Sequence, residues 1–151
     1  MRKRTAAATA ALLMLTAAGA LSHSGATGIV KERMDVMNEI SRDMKAIAGM
    51  VRGKSPFDAD EATAAARAIA DHAQALPKMF PEGSMIEPSE ASPDIWDEWR
   101  RFVALSRRMK SDALSLADAA ETAPDAAAFR SQFRALGQSC LACHEAFRVR
   151  R

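Results

Sequence analysis

The last part of the chain, from Asp125 to Arg151, reads DAAAFRSQFRALGQSCLACHEAFRVRR and decides the fold class. Apolar side chains and cysteines recur in it every three or four residues: Phe129, Phe133, Leu136, Cys140, Cys143 and Phe147. This spacing places them on one face of an α-helix. The segment therefore predicts a helix that begins near Asp125, runs to the end of the chain and buries that face.

Three earlier segments show the same helical spacing. They run from Ile29 to about Arg52, from Asp58 to about Leu76, and from Ser92 to about Glu121. Asp58 with Glu61 three residues later has the capping-box pattern of a helix start. Pro, Gly, Ser and Glu crowd residues 77–92, which predicts one long loop. Four amphipathic helices around one core predict an all-α fold, an antiparallel four-helix bundle.

The composition excludes several classes of protein. The chain has 151 residues, 48% of them hydrophobic, which suits one folded domain and argues against disorder. Its 21 basic and 19 acidic side chains give a formal charge of +2, too small for the basic face of a nucleic-acid binder. Two cysteines are too few for a disulfide scaffold. A helical globular domain without a nucleic-acid partner remains.

The first 22 residues have the order of a secretory signal peptide. Basic residues at positions 2–4 precede an uncharged, Ala- and Leu-rich stretch at 6–20, with small residues for cleavage after Ala20 or Ser22. The stretch is shorter than the roughly 20 apolar residues of a membrane span. We therefore expect an exported protein with no membrane span in its mature domain, residues 23–151. Losing three basic and no acidic residues changes the formal charge from +2 to −1.

Cys140, Cys143 and His144 form a C-x-x-C-H motif, the pattern of covalent haem c attachment. On a helix, two thiols at this spacing lie nearly one above the other and can add to two vinyl groups on one porphyrin edge. His144 then turns towards the iron and is the expected proximal ligand. The motif predicts one covalent haem c on the last helix, attached outside the cytoplasm.

Three other uses of the two thiols stay open on the residues alone. A zinc site needs about four N, S or O ligands, and only His23 and His72 remain as further histidines. A thioredoxin-like dithiol is typical of a βαβ setting, which is missing from the sequence. A structural disulfide is compatible with an exported protein. Haem attachment is the favoured use, because both cysteines of the chain belong to the motif.

Several segments of the chain together resemble one known family. The nine residues from Cys140 to Arg148, CLACHEAFR, lie near the end of a predicted bundle, and Arg33 is followed four residues later by Met37. Three further segments fit as well: Gly53–Phe57, Leu76–Pro81 and Ser92–Trp96. The sequence is similar to the class II cytochromes c, the cytochrome c-prime family, over residues 28–148. The resemblance implies a four-helix bundle with one covalently bound haem c.

This family has two branches that differ at the iron. In the cytochrome c-prime branch the iron is five-coordinate, and NO or CO binds at its open face. In the low-spin branch, of which cytochrome c-556 is the example, a methionine of the first helix is the sixth ligand. The resemblance implies Met37 for that position and places the chain closest to this branch. The spacing alone leaves it open, because Met34 and Met44 share the inward face and methionines commonly fill cores.

The resemblance also implies the surroundings of the haem. Arg33 would bond a haem propionate, since a buried arginine needs such a partner. A snorkelling arginine at the rim of the bundle is the other interpretation of Arg33. Arg148 would act like Arg33, and Phe147 would pack on the porphyrin.

These features predict a periplasmic monohaem c-type cytochrome for electron transfer rather than an enzyme. Met and His ligation raises the reduction potential of haem iron, and the haem motif has no acid–base or nucleophile constellation beside it. The partners would be periplasmic redox proteins bound transiently, and the chain would be a monomer or a homodimer. The alternative is a five-coordinate cytochrome c-prime that binds NO or CO at an open distal site.

Overall fold

The helical spacing of the sequence produces four long helices in the computed structural model, which describes residues 25–149. The elements are α1 (Gly28–Val51), α2 (Ala59–Ala75), a short α3 (Asp94–Asp97), α4 (Trp99–Glu121) and α5 (Arg130–Phe147). A 3₁₀ turn, Leu76–Met79, continues α2. The predicted signal peptide, residues 1–22, lies outside the described residues.

Each long helix packs against the next one along the chain: α1 on α2, α2 on α4, and α4 on α5. Arg67 of α2 pairs with Glu121 of α4 at 2.9 Å, while Ser106 of α4 donates to the carbonyl oxygen of Ala73, so these two helices are antiparallel. Buried alanines let α2 and α4 approach closely; they are Ala62, Ala66, Ala70, Ala73, Ala113, Ala117 and Ala120. The predicted antiparallel four-helix bundle is confirmed.

The side of the bundle between α1 and α5 is different. Within residues 25–149, these two helices are not among the pairs that pack extensively. Packed helices have axes about 8–10 Å apart, so α1 and α5 are more widely separated than the other neighbours. At one end they approach, because Arg130 Nη2 lies 3.5 Å from the carbonyl oxygen of Val51, and the rings of Phe57 and Phe129 are 5.9 Å apart.

The prediction of one continuous third helix from Ser92 to Glu121 is wrong at Glu98. Glu98 has φ −110° and ψ 35°, which separates α3 from α4. Ile95 is 1% exposed, and Trp96 Nε1 donates to the carbonyl oxygen of Phe80 at 3.1 Å, so α3 is held against the preceding loop. These tertiary contacts break the helix where the sequence carries no Gly or Pro.

The last helix is shorter than predicted at both ends. It begins at Arg130, because the Asp125 carboxylate accepts hydrogen bonds from the amides of Ala127 and Ala128 and holds residues 125–129 in turns. It ends at Phe147, and Arg148 continues as extended chain. Arg148 forms an isolated antiparallel bridge with Ala91, and no longer strand occurs in the described part of the chain.

Among residues 25–149, no helix has the length and hydropathy that crossing a membrane requires.

The N-terminus of α2 offers a test of the fold. The Asp58 carboxylate accepts a hydrogen bond from the amide of Glu61 at 2.9 Å, as the capping pattern predicts. Asp58→Ala should lower the free energy of unfolding by about 1 kcal/mol, while Asp58→Asn should be nearly neutral because asparagine caps equally well. Urea denaturation of the holoprotein measures both changes. Equal losses in the two variants would contradict the assigned cap.

Candidate functional site

The two thiols lie on the face of α5 that packs against the core. Cys140 and Cys143 are half-buried, pack against core residues and form no disulfide. Burial raises the pKa of both thiols, and that of Cys143 reaches about 11 with a further contribution from Cys140. Both thiols are therefore protonated at neutral pH. A redox dithiol needs the opposite, a lowered thiol pKa, so a thioredoxin-like use is not supported.

His144 follows Cys143 in the last turn of α5. Its ring reaches solvent, but partial burial lowers its pKa, and the positive charge of Arg148 lowers that pKa further. The imidazole is therefore neutral at pH 7, the form with a lone pair for a metal ion. Elsewhere in residues 25–149, no three His, Cys, Asp or Glu side chains are grouped to share a metal ion, which gives no support to a zinc site.

Arg33 of α1 is buried, with 5% of its surface exposed. Its Nη2 donates to the carbonyl oxygen of Ser84 at 2.6 Å, and its Nη1 lies 3.4 Å from the Ser84 hydroxyl. The guanidinium also sits over the Phe80 ring, 4.7 Å from the centroid. Burial lowers the pKa of Arg33. A snorkelling arginine would keep its charged group in water, so that interpretation is wrong.

Met37 lies one helical turn after Arg33, is half-buried and packs against the core. Met44 packs in the same way, so burial does not distinguish the two methionines. Their position along α1 does. Because successive long helices are antiparallel, the first half of α1 and the last half of α5 share one end of the bundle. Met37 is in that first half, whereas Met44 is about two turns further away.

The structure gives Phe147 and Arg148 protein partners. Phe147 is 4% exposed and meets Phe102 of α4 edge to face, with ring centroids 5.6 Å apart. Arg148 is exposed, and its Nε and Nη2 lie 3.0 and 2.6 Å from the same carboxylate oxygen of Glu90. Contact of either side chain with a haem stays a prediction.

Sequence reasoning missed the partners of the buried and charged residues. Phe80, Ser84 and Glu90 all lie in the loop between α2 and α3, which has no periodic pattern to mark them. Ser139, the residue before Cys140 on α5, is 1% exposed and donates to the carboxylate of Asp112 on α4. For the contact between Ser139 and Asp112, the sequence offers one signal: Ser139 falls on the inward face of α5.

The residues present fit haem c. Two protonated thiols and a neutral imidazole lie within five residues on α5, the helix that borders the wide side of the bundle. A methionine on the opposite border, Met37, adds a soft thioether. A buried cation, Arg33, lies one turn from it and suits an anionic carboxylate. Covalent haem c uses two thiols together with a neighbouring imidazole, whereas a structural disulfide would use only the thiols.

Comparison with known proteins identifies the family. The family described as Cytochrome C' matches residues 28–148. The chain belongs to the cytochrome c' family. Its relatives include a cytochrome c' of Rhodospirillum rubrum, 36% identical over 141 residues, with 93% of this chain and 95% of that protein covered. A cytochrome c-556 of Agrobacterium fabrum is 34% identical over 126 residues, covering 83% of this chain and 84% of that protein.

Solved structures agree with this assignment. Cytochrome c' from Rhodopseudomonas palustris superposes with a TM-score of 0.75 at 27% identity, covering 83% of this chain and 99% of that one. A nitric oxide complex of a mutant cytochrome c prime from Alcaligenes xylosoxidans gives a TM-score of 0.71 at 25% identity, covering 81% and 94%. Class II cytochrome c membership and the covalent haem c cofactor are confirmed.

The buried guanidinium offers a test of the site. Arg33→Met keeps most of the side-chain volume but removes both charged hydrogen bonds to Ser84 and leaves the Ser84 carbonyl oxygen buried without this donor. The holoprotein should lose about 2 kcal/mol of unfolding free energy. The matched control is Arg42→Met on the exposed side of α1, which should change stability by less than about 0.5 kcal/mol. Equal losses in urea denaturation would show that the buried contacts of Arg33 are not stabilising.

Proposed function

We propose that this chain is a periplasmic monohaem electron carrier. Cys140 and Cys143 hold the haem through thioethers, His144 binds the iron on the proximal side, and Met37 is the sixth ligand. The observation that carries the proposal is the placement of two protonated thiols and a neutral imidazole on α5. This helix lies on the side of the bundle where α1 and α5 do not pack extensively on each other. When bound, haem c supplies a one-electron couple, and a six-coordinate iron needs no substrate pocket.

Met37 is better placed than Met44 for the distal side. It lies on the core-facing side of α1, in the half nearest the C-terminal half of α5. Its unbranched thioether adapts to the position of a metal and is a known ligand that raises haem potential. The relative named cytochrome c-556 supports the same choice, since that name belongs to the low-spin branch.

Arg33 has the chemistry to hold a haem propionate. Ser84 accepts one hydrogen bond from each terminal nitrogen of the guanidinium, and Met85 Sδ accepts a weaker one from Nη1 at 3.8 Å. A guanidinium has five N–H donors. The remaining donors and the buried positive charge favour a carboxylate. In this role Arg33 would orient the cofactor and offset the negative charge of the propionate within the bundle.

The periplasmic location rests on the first 22 residues of the sequence. Their order of basic, apolar and small residues is typical of an export signal. Covalent haem attachment outside the cytoplasm agrees with it. In the periplasm, the electron donors and acceptors would be other redox proteins that bind through small, transient interfaces.

A second candidate is a five-coordinate cytochrome c' that binds NO or CO. Its support is the relative of that name at 36% identity over 93% of this chain, together with the likeness to a cytochrome c prime solved as a nitric oxide complex. This function requires Met37 to leave the iron or never to bind it. The two candidates therefore differ at one side chain.

The spectrum of Met37→Ala separates the candidates. We expect the holoprotein to show a low-spin spectrum with a Met–iron charge-transfer band, and Met37→Ala to lose that band and become high-spin. The control Met44→Ala removes an equally packed methionine of the same helix and should keep the band. A wild-type spectrum that is already high-spin and shifts with CO would favour the second candidate.

Covalent attachment is tested by replacing the thiols. Either Cys140→Ala or Cys143→Ala alone should leave one thioether and reduce haem retention, whereas the double variant should lose all covalent haem. Haem staining after denaturing electrophoresis measures retention, because only covalent haem stays with the chain. Full staining of the double variant would refute the assignment of both cysteines.

A further inference from the structure

The loop of residues 80–92 contacts the two helices that carry the proposed axial ligands. On one side, Ser84 accepts the hydrogen bonds of Arg33 on α1. On the other, Glu90 accepts those of Arg148, directly after α5. Arg33 is four residues before Met37, and Arg148 is four residues after His144. Each contact is thus about one helical turn from a proposed ligand.

The attachment to α1 is buried. Ser84 is 8% and Arg33 5% exposed, so their hydrogen bonds are shielded from water. Phe80, 8% exposed, lies against the guanidinium and offers its carbonyl oxygen to Trp96 of α3. A shielded, charge-assisted contact of this kind resists separation more than an exposed one does.

The attachment to the end of α5 combines backbone and side-chain bonds. The Ser92 amide donates to the carbonyl oxygen of Phe147, and the Val149 amide donates to that of Glu90, both at 2.8 Å. The Arg148 side chain adds two bonds to the Glu90 carboxylate. Since Arg148 also donates its amide to the carbonyl oxygen of His144 at 3.1 Å, the contact joins the loop to the final turn of α5.

Between its two attachments the loop is folded rather than slack. Between Ser84 and Glu90, the Ser89 amide donates to the carbonyl oxygen of Ile86 at 2.9 Å. Just before Ser84 there is a second turn, in which the Ser84 amide donates to the carbonyl oxygen of Pro81. Met85 packs against the core, while Ile86 is 58% exposed on the outer side. A loop with internal turns and a packed side chain has a defined span, so it can hold two elements at a set distance.

We propose that residues 80–92 form a strap that sets the separation of α1 and α5, and with it the distance across the haem site from Met37 to His144. The two helices lack extensive packing of their own within residues 25–149, and the contacts of Arg130 with Val51 and of Phe129 with Phe57 join them at the opposite end. Ser84 and Glu90 are therefore positioning residues that act through Arg33 and Arg148. This inference rests on the proposed haem position between α1 and α5.

Two variants loosen the strap in the haem-loaded protein. Glu90→Gln removes the charge from its α5 attachment, and insertion of Gly-Ser between Ile86 and Glu87 lengthens it while keeping both attachments. The matched control is Glu121→Gln, which breaks the exposed α2–α4 ion pair with Arg67, 2.9 Å long and equally remote in sequence. The control makes the same glutamate-to-glutamine change at a position that does not contact the strap.

The separation of α1 and α5 is read directly with spin labels on Asn38→Cys and Gln138→Cys. Both positions are exposed, and thioether-bound Cys140 and Cys143 do not react with the label. We expect both strap variants to give a longer or broader distance distribution than wild type and the Glu121→Gln control. With reduced haem, CO association should become about fivefold faster in both strap variants and stay unchanged in the control, because a looser site lets CO displace Met37 more easily.

An unchanged distance distribution in the insertion variant would overturn the proposal, even if its melting temperature falls. Failure of the proposed ligation gives a different result. If Met37→Ala leaves the spectrum unchanged, Met37 is not a ligand, yet the distance between the labels still tests whether the strap sets the helix separation.

Discussion

In the position that we propose for the haem, a planar macrocycle fits between α1 and α5, and the packing of the other helices leaves room for it there. α2 and α4 approach closely through buried alanines such as Ala66 and Ala113, which makes one side of the bundle narrow. α1 and α5 do not pack extensively on each other within the described residues, so the opposite side is wide. The short side chains of one interface and the proposed haem position at the other belong to one arrangement, because the same four helices form both.

The thiols and the imidazole along the wide side share one property, which is that partial burial favours their uncharged forms. Partial burial raises the pKa of the Cys140 and Cys143 thiols and lowers the pKa of His144, which further favours the uncharged form of all three groups at neutral pH. All three groups are therefore uncharged donors in a partly apolar setting. Arg33 is the buried charge of α1, and it is held by a carbonyl oxygen and an aromatic ring. A bundle with this pattern stabilises a carboxylate-bearing, largely apolar cofactor better than a hydrated metal ion.

Helical periodicity predicted the bundle and the inward positions of Met37, Cys140 and Cys143, because both depend on local spacing along one helix. It failed at Glu98, where the bond from Trp96 to the Phe80 carbonyl oxygen holds α3 against the preceding loop, and at Asp125, whose carboxylate holds the next amides in turns. It could not find Ser84 or Glu90. These residues meet Arg33 and Arg148 across more than fifty positions of sequence, and a loop offers no periodic pattern from which such contacts can be read.

The coordination of the iron tests the central claim most directly. X-ray absorption of the oxidised holoprotein at the iron edge counts the nitrogen and sulfur atoms bound to the metal. With haem on α5 and Met37 reaching it from α1, the spectrum should require one sulfur ligand besides the four porphyrin nitrogens and the imidazole of His144. A spectrum fitted fully by nitrogen ligands, with no sulfur, would contradict the account.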